Sequence, residues 1–301
     1  MKKKDDGLAK LSELAKRLFV IAPWDEFASD CFLSIVDEKG SEYFLSFSEG
    51  IHCLPEADGL RSYLRLLHNM HDENAHYALR SISLTPSENG SYEFRSYFPA
   101  HVVWELLDYE VEILMKVYTQ AIELLRWVYE TKPSVDYSKF ESPTRRWDAE
   151  REIWVNEIHQ LQLGKPEAIF VSPPDEITMR RISAQPRVDA ILELDVCMTI
   201  KPATDKDYDK PFYPTMIVLC DRPRVTILDL KLLAPDKNIP QETIDVLINF
   251  IERYGIPSIL YVQSPDVYAM LLRLCEEIGV QIKLIGFLPI VNQFMSEKGL
   301  L

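Results

Sequence analysis

Five of the six histidines fall between positions 52 and 101, and His68 and His71 are spaced to share one face of a helical turn, with Asp72 and Glu73 beside them. Two imidazoles and a carboxylate are the donors that a zinc-type ion takes. The stretch from His68 to His76 is nonetheless rich in Asn, Asp and Glu and follows a short helix, so it reads as an exposed polar turn. A second cluster, Asp205-Lys206-Asp207-Tyr208-Asp209, puts carboxylates on alternate positions, as a calcium loop does. An EF-hand starting at Asp205 needs Gly at 210 and Glu at 216, where the chain has Lys210 and Met216. A solvated acidic turn is the better reading. Tyr92, Phe94, Arg95, Tyr97 and Phe98 interleave aromatic rings with a cation, a pattern that can stack bases. Tyr92 and Phe94 fall on one side of a strand, however, and serve equally as its hydrophobic face. The chain carries no Gly-x-Gly-x-x-Gly, P-loop, Gly-x-Ser-x-Gly or His-Glu-x-x-His pattern, and no nucleophile–base pair stands out.

The elements that would position such groups follow from periodicity. Leu8, Leu11, Ala15 and Leu18 recur at helical spacing. Residues 31–37 and 42–48 form a hairpin about Glu38-Lys39-Gly40, and 59–68 a short helix. A second hairpin joins 76–84 to 91–97 through Asn89-Gly90. A long helix is expected from Pro99 to Glu130, with Val103, Leu107, Val111, Leu114, Tyr118, Ala121, Leu125 and Val128 as its buried stripe. These elements make an α+β domain over residues 1–130. Residues 131–150, polar and holding Pro133 and Pro143, read as a linker to a second domain over 151–301.

Ten of the nineteen prolines lie between 133 and 223, so loops are expected there, around strands at Ile153–Gln162 and Ala190–Ile200. Pro214–Cys220 and Arg224–Leu233 form a hairpin. Asn238 caps a helix with Pro240 in its first turn and Gly255 past its end. Ser258–Val262 is an apolar strand, Ser264-Pro265 opens a helix ending at Gly279, and Val280–Ile285 is a further strand. Apolar strands separated by amphipathic helices imply parallel pairing. The C-terminal domain is therefore α/β with a mixed sheet, in the order β-β-β-α-β-α-β.

Composition bounds the function. The 301 residues are 47% hydrophobic and 27% charged, with a net charge of −14. Residues 1–140 hold 15 basic and 23 acidic side chains and the remainder 18 and 24, so neither half is a basic module. Nucleic acid is thereby disfavoured as a partner. No run is long enough to span a membrane, and Leu18–Ala22 is too short for a signal-peptide core. The five cysteines, at 31, 53, 197, 220 and 275, are odd in number and form no Cys-x-x-Cys pair. Free thiols and a cytoplasmic location are expected.

The order of the second domain, with the hairpin at Asp221, "ERYGIPSILYV" and "GVQIKLIGFLPIVNQF", resembles the ribonuclease H-like fold of integrases and transposases. That resemblance implies carboxylates at strand ends holding two divalent cations, Mg or Mn, for phosphodiester cleavage. Carried over to this chain it implies Asp195 on the first strand and Glu297 in the terminal helix, with Asp221 and Asp266 as the further acids. The position after the fourth strand, where a second essential carboxylate is due, is Gln263, and an amide brings the cation no charge.

The chain also resembles bacterial proteins of two consecutive domains of unknown function. That likeness rests on "LAKRLFVIAPWDEF" and "GLRSYLRLL" in the first half, and on "KPFYPTMIVLCDRPRVTILDLKLLAP", "YGIPSILYV" and "IGFLPIVNQF" in the second. It brings no catalytic residue with it. Ligands of open α/β sheets gather at the carboxyl ends of parallel strands. Gln263, Ser264 and Asp266 therefore form the expected ligand rim, although Ser264-Pro265 is also an ordinary helix start. The expectation is a binding or regulatory protein without a cofactor, taking a protein partner or a small ligand. The alternative is a metal-dependent nuclease using Asp195, Asp221, Asp266 and Glu297.

Overall fold

A computed structural model describes residues 2–21, 23, 27–28, 31–48, 50–68, 79–87, 92–162 and 174–299. The chain divides into two compact units, Met1–Lys165 and Pro166–Leu301, each mixed α/β and each built on one mixed sheet.

The first unit comprises α1 (Lys2–Ile21), β1 (Leu33–Val36), β2 (Glu42–Ser46), β3 (Ile51–Pro55), α2 (Glu56–His68), β4 (Ser81–Pro86), β5 (Tyr92–Tyr97), α3 (Asp108–Thr131), β6 (Glu141–Asp148) and β7 (Ile153–Gln160). The sheet order is β5-β4-β3-β2-β1-β6-β7, antiparallel throughout except for β1 and β6, which run parallel. Strand alternation sends Leu33, Ile35, Leu45 and Cys53 toward α1 and α3, and Phe32, Phe44 and Leu54 toward α2. Tyr92 and Phe94 pack on the α1–α3 side, with the Tyr92 ring 5.0 Å from that of Phe19. The aromatic face of β5 thus belongs to the core.

Three expectations change in this unit. Residues 141–148, expected within a linker, form β6 between β1 and β7, and the division of the chain falls at Lys165 rather than at 131–150. Pro143 does not break the sheet, because the ladder with β1 covers only Thr144 to Arg146. Arg145 is held by the side chains of Gln120 and Asn156, each at 2.7 Å, so a polar-looking strand is stitched into place. The long helix begins at Asp108, not Pro99. Buried Glu110 closes its first turn by accepting from the Leu107 amide at 2.8 Å and the Ser96 hydroxyl at 2.5 Å. Strand β3 was not anticipated. His71, His76, Asp72, Glu73 and the Asn89-Gly90 turn lie outside the described residues.

The second unit comprises α4 (Glu176–Ser183), β8 (Ile191–Met198), β9 (Thr215–Asp221), β10 (Thr226–Leu233), α5 (Ile239–Tyr254), β11 (Ile259–Val262), α6 (Pro265–Ile278), β12 (Gln281–Leu284) and α7 (Pro289–Glu297). The sheet order is β10-β9-β8-β11-β12: the first three strands are antiparallel, and β8, β11 and β12 run parallel. Strand β11 is internal, as its apolar sequence predicts. Asn238 caps α5 and Ser264 caps α6, with Pro240 and Pro265 in the first turns. Gly255 ends α5 at φ 113°, where an added Cβ would lie 2.4 Å from the Pro186 carbonyl oxygen, so only glycine fits.

The two faces of this sheet differ. Leu192, Leu194, Ile217, Leu219, Leu260 and Val262 pack under α4, α5 and α6. Met216, Val218 and Cys220 pack under α7 through Leu288, Val291 and Met295. Helix α4, in a stretch expected to be loop, closes one end of the larger core with Ile182. Among the described residues no helix is long and apolar enough to cross a membrane.

Candidate functional site

Glu193 and Asp195 are alternate residues of β8, so both point to the α7 side, between the apolar residues of the other face. Both are almost fully buried, at 0% and 4% exposure. A buried carboxylate must be compensated. Glu193 finds its compensation at the start of α7. Pro289 removes one of the helix's free amides, and Glu193 Oε2 accepts from the next two, Ile290 at 2.9 Å and Val291 at 3.2 Å. Leu288, the helix's own cap residue, offers no side-chain oxygen, so the sheet supplies the cap. Arg222 Nε lies 3.3 Å from Glu193 Oε1, and its guanidinium rests 4.5 Å from the centre of the Tyr261 ring.

Asp195 is compensated differently. The parallel register of β8 and β11 pairs Glu193 with Tyr261, which places Gln263 beside Asp195 just past the end of β11. Gln263 Nε2 donates to Asp195 Oδ2 at 2.7 Å, and Asn292 Nδ2 of α7 donates to Gln263 Oε1 at 3.2 Å. A carboxylate accepts only, so Asp195 fixes the orientation of both amides in turn. Burial still raises the Asp195 pKa above the ordinary carboxylate value, against the lowering effect of the Val196 amide and Gln263. Next on the same face, Cys197 is pushed up to about 12, by burial first and then by the charge of Asp195. It is not poised as a nucleophile.

The Asn292 end of this relay opens onto a cleft of about 650 Å³, lined by Gln263, Asn292, Gln293, Ser296, Gly286 and Phe287. It is a shallow depression, largely open to solvent.

The other acids go elsewhere. Asp221 pairs in register with Leu192, so it lies on the α5–α6 face of the sheet, opposite the face that carries Asp195. Its carboxylate accepts from the Arg224 amide at 3.1 Å and the Arg224 guanidinium at 2.6 Å, and so builds the β9–β10 turn. Asp266 is exposed in the first turn of α6, where an acid suits the helix dipole. Glu297 is exposed at the end of α7 and accepts from Gln293 at 2.8 Å. Asp195, Asp221, Asp266 and Glu297 thus do not assemble, and among the described residues no three His, Cys, Asp or Glu side chains gather as metal ligands. Mg or Mn does not fit this donor set: one carboxylate, already paired with an amide, leaves a cation no second charge.

Of the expected rim, Gln263 lines the cleft, whereas Ser264 is spent on the α6 cap, its Oγ accepting from Val267 at 3.5 Å. Elsewhere, His68 Nδ1 contacts the Leu64 carbonyl at 2.7 Å within α2. In the acidic turn the Asp207 amide donates to Asp205 at 3.0 Å, while Tyr208 donates to Asp236. Glu193, Arg222 and Asn292 were not singled out from sequence. Two acids on alternate positions of the apolar run Ile191-Leu-Glu-Leu-Asp-Val196 were the available signal for the first.

A family model described as a domain of unknown function, DUF6930, matches residues 178–297, a span that contains the relay and the cleft. No curated protein matches the chain. Among solved structures, the catalytic core domain of the HTLV-2 integrase, in complex with magnesium, is similar at 15% identity over 36% of this chain, with a TM-score of 0.27. The match spans 65% of that core domain's length, less than two-thirds, and the likeness is too slight to transfer a residue or an activity.

Proposed function

We propose that the second unit is a non-enzymatic binding module with a ribonuclease H-like arrangement, whose ligand enters the cleft between the end of β11 and α7. The observation that carries the reading is the Gln263–Asp195 hydrogen bond at 2.7 Å. Where metal-dependent phosphodiester chemistry calls for two carboxylates on one cation, this chain sets an amide against a carboxylate and joins them by a hydrogen bond. The sheet order β10-β9-β8-β11-β12 supports the fold assignment. The five free thiols support a reducing cytoplasmic setting.

The alternative is a metal-dependent nuclease, for which Asp195 would have to be the central ligand. Incubation of the purified protein with single- and double-stranded DNA and RNA, in Mg²⁺ or Mn²⁺, separates the two. Substrates are expected to remain intact. Cleavage that disappears in Asp195→Ala would replace the binding reading with the nuclease.

A further inference from the structure

We propose that the cleft takes an uncharged, planar heteroaromatic ring of the nucleobase type, without a phosphate held at this site. The inference rests on the binding reading above and names its ligand class.

The first ground is charge. Among the lining residues no Lys, Arg, His, Asp or Glu contributes to the cleft. A phosphate or carboxylate entering it would lose hydration and meet no counter-charge. A net charge of −14 over the whole chain adds to that bias against anions.

The second ground is hydrogen-bond pattern. Gln263, Asn292, Gln293 and Ser296 line the cleft; both ends of the Gln263 amide are taken by the relay and Gln293 donates to Glu297, which leaves Asn292 as the carboxamide open to a ligand. The relay decides what Asn292 offers. Because Asp195 can only accept, Gln263 turns its oxygen to Asn292, and Asn292 spends one N–H on it. Asn292 therefore keeps Oδ1 and its second N–H as an adjacent acceptor and donor. That edge is complementary to the adjacent donor and acceptor of a base such as adenine. The buried carboxylate thus acts at a distance, as a positioning residue that fixes the polarity of the amide edge.

The third ground is shape. Phe287 stands 62% exposed on the cleft, a large ring left in water beside a polar wall. Such a ring offers a stacking face to a flat ligand whose edge meets Asn292. Gly286, exposed beside Phe287, lines the cleft, and an added Cβ there would meet nothing within 4 Å. A larger side chain is therefore accommodated at this lining position without displacing the backbone, and takes up space that a ligand would use.

The test is ligand-observed saturation-transfer NMR on the full chain, using adenine, cytosine, adenosine monophosphate, N-methylacetamide and acetate as probes. The same probes are run on Gly286→Leu and Phe287→Ala, with melting temperatures as a check on folding. Free bases are expected to bind, to be lost in Gly286→Leu at unchanged melting temperature, and to weaken roughly fivefold or more in Phe287→Ala, as loss of a stacking partner predicts. Adenosine monophosphate tighter than adenine, or N-methylacetamide as good as the bases, overturns the ligand class while leaving the cleft as a binding site. No binding by any base also overturns the class. Probes that bind wild type and Gly286→Leu alike overturn the cleft itself, and the binding reading with it.

Discussion

Gln263 Nε2 donates to Asp195 Oδ2 across 2.7 Å, from a position one residue beyond the end of β11 to the middle of β8. The parallel register dictates this meeting, since Tyr261 already lies beside Glu193 and each step of two keeps the face. The consequence is a buried acid whose one close side-chain partner is neutral. Its charge is therefore a cost to folding, moderated by hydrogen bonds.

That cost has a sign in pH. Burial raises the Asp195 pKa in the folded state, so the protonated form is the one folding favours. The contribution of Asp195 to stability is complete below its unfolded pKa of about 3.9 and is lost as pH rises through the higher folded value. Asp195→Asn keeps an acceptor oxygen for Gln263 and carries no charge. Its melting temperature at pH 7 is expected to equal or exceed that of wild type, with the difference closing as pH is lowered. Thermal melts of both proteins from pH 7 to pH 4 check this. A variant several degrees less stable at pH 7 would mean that the charge is needed in the fold.

Glu193 has partners of another kind, two helix amides and Arg222. Glu193→Ala removes the cap of α7 and leaves the Arg222 charge without its partner. The expected cost is about 1–2 kcal/mol, the size of a lost helix cap, because Arg222 is 34% exposed and regains water. Denaturant titration measures it. Hydrogen exchange should show the amides of α7, Ile290 and Val291 first, losing protection before those of β8. A cost below ~0.5 kcal/mol with α7 unaffected would count against the sheet-borne cap.

The boundary between the units is testable by fragments. A chain ending at 165 keeps β6 and β7, whereas one ending at 130 leaves β1 as an open edge and strips partners from the core of α3. Residues 1–165 are expected to fold cooperatively, as are 166–301, and residues 1–130 are not. Circular dichroism melts of the three fragments decide it. A cooperative transition in 1–130 would place the boundary at 131–150 instead.

Much of the second unit was legible in the sequence because its signals are local. Asn238, Ser264 and Gly279 sit where caps must be, and Ile259 to Val262 read as an internal strand. Strand β6 was not legible, because Ser142, Thr144 and Arg145 look like loop until the partners that bury them are known. The start of α3 was misplaced because a proline can open a helix, while the closing residue here is Glu110, reached by the distant Ser96. Gln263 was found from the strand-end rule, but Asn292 and Glu193 acquire their roles only when α7 folds back on β8, over a separation that no periodicity records.

On the proposed reading, Gln263 holds a position at which a cation would need a carboxylate. Isothermal titration calorimetry of Mn²⁺ into wild type, Gln263→Glu and Asp195→Ala tests it directly. Wild type is expected to show no saturable binding below the millimolar range. Gln263→Glu, with two carboxylates side by side, should bind at least roughly tenfold tighter, since the second charge supplies what the amide withholds. Submillimolar binding by wild type that vanishes in Asp195→Ala would show, against this reading, that Asp195 and Gln263 already form a cation site.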